Sequence, residues 1–223
     1  MYNYTSANVE EQNYWISYTD LVTGFMIIFI ILTLILFNRQ QEKITVEAKY
    51  KELSNVFKTR LDSNIIEITD YATIRFTAKE GQPLFEKTEY YPTPYFKELL
   101  DQFIPIYFSQ IDSIVFQDTS RVVSIKELRI EGHTDSDSDY LSNLRLSSNR
   151  ALKVQRHILE NKSFQRLNGD FKDFIRKSSI AVGYSESQLL DENGDLVEIS
   201  HKPENQDYSR RVEFRILLEK KAQ

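Results

Sequence analysis

The run WISYTDLVTGFMIIFIILTLILF, residues 15–37, contains no Lys, Arg, Glu or Pro. As a helix rising about 1.5 Å per residue it spans roughly 34 Å, against a hydrocarbon core of ~30 Å. It reads as a membrane-crossing helix, and the rest of the chain as what is attached to it. One residue inside it is foreign to lipid: Asp20. An acid in a spanning helix costs at least ~2.5 kcal/mol on insertion scales, so it is kept when it pairs, meets a partner or handles an ion. Helical spacing puts Ser17, Asp20, Thr23, Gly24 and Ile27 on one small, polar face that suits close approach by another helix. Ile28, Ile30, Ile31 and Leu34 are left for lipid. The plainer alternative keeps Asp20, five residues from Trp15, in headgroup water.

Residues 1–14 hold Glu10 and Glu11 but no Lys or Arg, and no small-residue cleavage site follows the apolar run. The run is therefore expected to be a retained anchor rather than a signal peptide. Arg39, Lys43, Lys49 and Lys51 follow it, which by the positive-inside rule alone puts the following domain in the cytoplasm.

With 223 residues, the chain has room for one globular domain beyond its anchor. A net charge of -5 argues against direct nucleic-acid binding, which wants a basic face. The absence of cysteine excludes disulfides and thiolate metal sites.

Past the anchor, Val46, Tyr50, Leu53, Phe57 and Leu61 recur at helical spacing, which predicts a helical linker over residues 38–64 that packs against a copy of itself or against the domain that follows; a solvated linker is the plainer alternative. A globular domain is expected over residues 65–223. It starts with β-formers at 65–69 and 72–77, and a helix over 94–109 turns Phe96, Leu99, Leu100, Phe103 and Ile104 inward. Pro105 is expected to kink or end that helix. A strand over 124–131 runs into Gly132-His133-Thr134-Asp135, followed by a helix over 142–160, a strand at 179–183, a polar loop over 186–208 and a last strand at 212–218. The order β-α-β-α-β-β predicts an α+β sandwich, with helices on one face of a mixed sheet.

Asp135, Asp137 and Asp139 mimic the start of a calcium loop. Tyr140 and Leu146 stand where that loop needs Gly and Glu, so the acids read as a helix cap and no metal is expected. His133 has no second histidine near it, and no Ser-His-Asp order, dinucleotide fingerprint or P-loop is present. Neither a cofactor nor an enzymatic role is expected.

Two stretches resemble known families. Residues 15–25, WISYTDLVTGF, are similar to the transmembrane signature of the MotB/PomB group, the B-subunits of ion-driven stators. The resemblance implies that Asp20 carries H⁺ or Na⁺, with Thr19 and Thr23 in support. GHTD at 132–135, NxxLSxxRA at 143–151 and RRVE at 210–213 together resemble the OmpA-like peptidoglycan-binding domain. That family's ligand is the free end of diaminopimelate in a stem peptide, an ammonium beside a carboxylate. The resemblance assigns Asp135 and Arg150 to it, with Thr134, Asn143 and one of Arg210 or Arg211 as lesser contacts. A planar guanidinium suits the carboxylate because it binds bidentately. Ser209 departs from the Asn usual there, and the plainer reading of Asp135 and Arg150 is a salt bridge tying loop to helix.

Taken together, the resemblances imply a homodimer whose helices stand inside a pentameric, polytopic ring of ZorA/MotA-like subunits. They also imply an N-terminal tail (residues 1–14) in the cytoplasm and a periplasmic C-terminal domain, against the charge flank. The acidic tail and short linker are more similar to the Zorya anti-phage B-subunits than to flagellar or gliding stators. A passive wall tether is the alternative of another class.

Overall fold

The computed structural model describes residues 5–61, 66–69, 71–78, 81–114 and 123–221; side chains of residues 5–14, 16 and 42 are excepted. Residue 65, where the globular domain was expected to start, and residues 1–4 of the tail lie outside them. Contacts divide the chain into two units, Met1–Ile44 and Thr45–Gln223. The helix α1, Thr5–Arg60, runs through that division.

In the first unit the described apolar side chains of residues 15 and 17–37 are exposed, as a helix built for a bilayer requires. The hydroxyls of Thr19, Thr23 and Thr33 donate to the carbonyls of Trp15, Thr19 and Phe29 at 2.6, 2.7 and 2.8 Å. Each hydroxyl proton is thereby satisfied within the helix, which lowers its cost in lipid. Asp20 has no such partner among the described residues. A Cβ built on Gly24 would meet nothing within 4 Å, so that face of the helix is open.

The second unit starts earlier than the pattern suggested. Leu53, Phe57 and Leu61 are buried in its core, with Val46 and Tyr50 packed against it. The apolar stripe over residues 46–61 thus belongs to the globular unit and not to a free linker. Tyr50 also accepts the amide of Leu218 at 2.8 Å, fastening this helical segment to the last strand.

The sheet has five strands: β1 (Ile66–Ile68), β2 (Ile74–Thr77), β3 (Val123–Gly132), β4 (Ser179–Gly183) and β5 (Arg211–Lys220). Their order is β1-β2-β5-β3-β4; only β3 and β4 run parallel, so the sheet is mixed. Val212, Phe214, Ile216 and Leu218 of β5 alternate toward one face. There Phe214 packs on Phe76, Phe103 and Tyr107 at ring-centroid distances of 5.5, 4.8 and 5.7 Å.

Helix α2, Pro94–Asp112, starts on a Thr93 cap whose hydroxyl accepts from the Phe96 amide. It runs through Pro105 instead of ending there. Pro105 and Asp101, whose carbonyl loses its usual donor, both lie on the exposed side, where water replaces the bond. The buried face, Phe103, Ile104, Tyr107, Phe108 and Ile111, packs into the core on both sides of the gap. Helix α3, Tyr140–Glu160, is capped by Asp139, which accepts from the Ser142 amide. The short α4, Lys162–Gln165, and α5, Gly169–Ser178, complete the layer with Phe164, Phe171 and Ile175 inside. Two further turns, α6 (Val197–Ser200) and α7 (Gln206–Ser209), lie in the long polar loop.

Candidate ligand-binding cleft

Gly132 explains the approach of α3 to the sheet. A Cβ there would collide with the Ser147 carbonyl, and one on Gly183 would collide with Ser148. Glycine at the ends of β3 and β4 lets the helix sit directly on the backbone, which brings Asn143, Leu146 and Arg150 beside Thr134 and Asp135. The Ser147 hydroxyl accepts the amide of Ser185, tying the loop after β4 into the same junction.

A cleft of about 480 Å³ opens there. Thr134, Asp135, Asn143, Arg150 and Arg210 all line it, and residues 83–88 supply its opposite wall. Asp135 is 7% exposed. Its Oδ2 accepts from Arg210 Nη1 at 2.7 Å, and Arg210 also grips Asp207 at 2.6 Å. The Thr134 hydroxyl is buried without a hydrogen-bond partner.

Arg150, 5% exposed, forms no ion pair with Asp135 among the described residues. Its Nε donates to the Glu89 carbonyl at 3.0 Å and its Nη2 to that of Glu86 at 3.4 Å. The guanidinium lies 4.8 Å over the Phe85 ring. Burial lowers its pKa to about 10, partly opposed by the negative charge of Asp135. Two of its nitrogens are thus spent on fixing the plane, and among the described residues no carboxylate is in ion-pair contact with the charge, although Asp135 is near enough to act on it. The simple loop-to-helix salt bridge is not what these two residues form.

Asn143 acts on the protein itself. Its amide nitrogen lies 3.0 Å from the carbonyls of Asp135 and Ser138 and 2.6 Å from Glu186 Oε2, which fixes the 135–138 turn on the helix. Asp139 caps α3 and Asp137 accepts from Gln206 at 2.6 Å, so these acids do not converge with Asp135 on a common point.

Arg211 lies elsewhere. It is buried on the sheet face opposite the helices, donating to Glu213 at 2.6 Å and to the carbonyls of Gln188 and Ser209. Ser209, also buried, accepts the Leu190 amide at 3.0 Å and so holds the covering loop rather than lining the cleft.

That face is an ionic layer which the sequence pattern did not disclose. Glu67, Arg75, Glu213 and Glu131 stand in register across β1, β2, β5 and β3. Arg75 bridges Glu67 and Glu213 at 2.9 Å each, and Arg215 lies 3.2 Å from Glu131 and 3.3 Å from Glu213. His133 is stacked on Tyr184, with ring centroids 5.0 Å apart. The ligand atoms of Glu131, His133 and Glu213 lie within 4.8 Å of one another. Arg75, Arg211 and Arg215 already neutralise the two carboxylates, so the cluster has no excess negative charge to hold a cation.

Burial, reinforced by Arg211, Arg215 and Arg75, lowers the His133 pKa to about 3, with Glu213 opposing. Against an unfolded value near 6.5 the folded state refuses a proton that the unfolded chain accepts below that pH. Stability is therefore expected to fall with pH from about 6.5, at up to ~1.4 kcal/mol per unit, or ~2 kcal/mol by pH 5. Glu131, its pKa raised by burial, works in the opposite direction. His133→Phe keeps the stacking on Tyr184, and both ring nitrogens of His133 lack hydrogen-bond partners. Urea unfolding of the variant should be nearly flat between pH 7 and 5, while the wild type loses stability.

No family model matches the chain. Zorya protein ZorB from Escherichia coli strain Crooks is 27% identical over 96% of this chain and 92% of its own length. A second Escherichia coli ZorB is 24% identical over 92% of the chain and 80% of its own length. Among solved structures, a MotB-like protein from Desulfovibrio vulgaris has a TM-score of 0.49 at 18% identity, over 82% of this chain and 98% of that one. The cell wall anchor of the type VI secretion system from Pseudomonas aeruginosa has a TM-score of 0.47 at 16% identity, over 76% and 99%. The apolar helix with its lone acid and the charged cleft thus lie in a chain that is ZorB-like over 96% of its length.

Proposed function

We propose that this chain is the wall-anchored, ion-carrying B-subunit of a rotary motor in the bacterial inner membrane, of the kind used in Zorya anti-phage defence. The observation that carries the wall-binding half is the unpaired guanidinium of Arg150 in the same cleft as Asp135. Glu86, Asp135, Asp137 and Asp207 face Lys87, Arg150 and Arg210 across it, a balanced mixture that suits a zwitterion. The free end of meso-diaminopimelate has an ammonium and a carboxylate on one carbon. Asp135 takes the first, Arg150 Nη1 takes the second, and the unsatisfied Thr134 hydroxyl adds a hydrogen bond.

In the membrane half, Asp20 binds and releases H⁺ or Na⁺. Protonation or ion binding neutralises it where charge is disfavoured. Two copies present Asp20 to a ring of five partner subunits, and alternate loading of the two acids turns the ring. Thr19 and Thr23 have committed their protons to backbone carbonyls, so toward an ion they offer lone pairs only. The grip on the wall keeps the dimer from turning with the ring. This arrangement needs the N-terminus in the cytoplasm and the cleft in the periplasm; protease digestion of spheroplasts, their outer membrane opened, that spared the globular unit would contradict it.

Co-sedimentation of the full-length, detergent-solubilised protein with purified sacculi tests the cleft. Asp135→Asn and Arg150→Ala are each expected to weaken binding at least about ten-fold, the scale of one lost charge-assisted contact. Unchanged sedimentation of both variants would overturn the assignment.

A further inference from the structure

Beside the cleft lies a second hollow of about 470 Å³. Thr88, Ser138, Asn143 and Leu146 line both, so the two adjoin. The second hollow adds Tyr90 from one wall and Ser142, Arg145 and Asn149 from α3. Ser142, Arg145, Leu146 and Asn149 follow one another at helical spacing, a single face of α3.

Its chemistry differs from that of its neighbour. The cleft mixes acids and bases; the hollow has hydroxyls, amides, one aromatic ring and no carboxylate, and Arg145 is its cation. Among the described residues the Arg145 guanidinium and the Asn149 amide make neither an ion pair nor a hydrogen bond. The Tyr90 ring is held in place, 4.9 Å from that of Tyr91 and 5.5 Å from the Lys153 ammonium. Thr88, at the junction, has a left-handed backbone with φ 64°, which a β-branched residue rarely adopts. Arg145 and Arg150 are five residues apart on α3, about 7.5 Å along its axis and about 140° around it.

We propose that this hollow is a subsite for a second carboxylate of the stem peptide, bound by Arg145 with Asn149 beside it. The inference rests on the reading of the cleft as the diaminopimelate site. Peptide emerging from that site meets the hollow that adjoins it. The γ-linked glutamate of the stem peptide leaves its α-carboxylate free, and a planar guanidinium with no partner among the described residues is suited to it.

The test compares the full-length wild type with Arg145→Ala in detergent, by calorimetric titration. The ligands are free meso-diaminopimelate, the tripeptide L-Ala–γ-D-Glu–meso-diaminopimelate, and that tripeptide amidated at the glutamate α-carboxyl. The wild type should bind the tripeptide about ten-fold more tightly than the free amino acid. Arg145→Ala should erase that gain and leave affinity for free diaminopimelate unchanged. The amidated tripeptide should lose the same factor with the wild type. The subsite is overturned if Arg145→Ala binds the tripeptide as the wild type does, weakens both ligands alike, or if the amidation costs no affinity. A wild type that binds no diaminopimelate at all would instead overturn the reading of the cleft itself.

Discussion

Asp20→Asn is expected to abolish protection against phage in cells carrying the complete system, with the variant protein still made and inserted at wild-type levels. Asparagine keeps the size of the side chain and removes only its ability to ionise. Among the described residues the Asp20 carboxylate has no hydrogen-bond or ion-pair partner, so its replacement breaks no such contact there. Ion transfer requires a group that alternates between charged and neutral, and residues 15–37 contain one such acid. Asp20→Glu keeps the chemistry but moves it by one methylene, and should retain partial activity. A passive tether makes the opposite forecast: Asp20→Asn protects fully, and only variants of the wall-binding cleft fail. Plaque counts on the same host, with an immunoblot of the membrane fraction, distinguish the two.

Glu213→Ala should cost the globular unit about 3–5 kcal/mol, the usual penalty for removing one member of a buried ion-pair network. Glu213 is buried between Arg75 and Arg211 at 2.9 and 2.6 Å, with Arg215 at 3.3 Å. Burial alone would raise its pKa, but Arg211, followed by other charges including Arg75, holds it well below the usual carboxylate range. Its contribution is therefore present above the unfolded value near 4.5 and fades as pH falls below it. Alanine leaves those guanidiniums buried with less negative charge, and Glu131 alone cannot neutralise them. Urea unfolding followed by tyrosine fluorescence should show a midpoint about one to several molar lower with an unchanged slope. A shift below about 1 kcal/mol would mean that water already reaches this layer.

What was legible in the sequence follows from periodicity. The stripe from Val46 to Leu61 and the inward set of α2 are both buried, because helical spacing of apolar residues leaves a helix little choice. The strand Ser179–Gly183 stands where its β-formers lie. Helix α5 was missed: ten residues with three apolar ones, behind an Asn168 cap, give a weak signal. The ionic layer was unreadable for another reason. Arg129 and Glu131, like Arg211, Glu213 and Arg215, alternate with apolar residues as on any half-solvated strand. Only the loop after β4, with Tyr184 on His133 and Gly194 on Arg75, turns that face into an interior. Motif spacing in turn brought Thr134, Asp135, Asn143, Arg150 and Arg210 into one cleft. It could not tell Arg210 from Arg211, whose side chains leave β5 and its approach on different sides. The wall of residues 83–88, with Phe85 under Arg150, has no motif and emerged from the fold alone.

The most direct test of the proposed wall grip is a calorimetric comparison, on the full-length protein, of L-Ala–γ-D-Glu–meso-diaminopimelate with the same tripeptide ending in L-2-aminopimelate and in L-lysine. The 2-aminopimelate side chain lacks the ammonium that Asp135 is assigned to hold, and the lysine side chain lacks the carboxylate that Arg150 is assigned to hold. The account predicts one diaminopimelate bound per chain, with both analogues at least about ten-fold weaker, a difference of ~1.4 kcal/mol each. Equal binding of all three, or none, would contradict it.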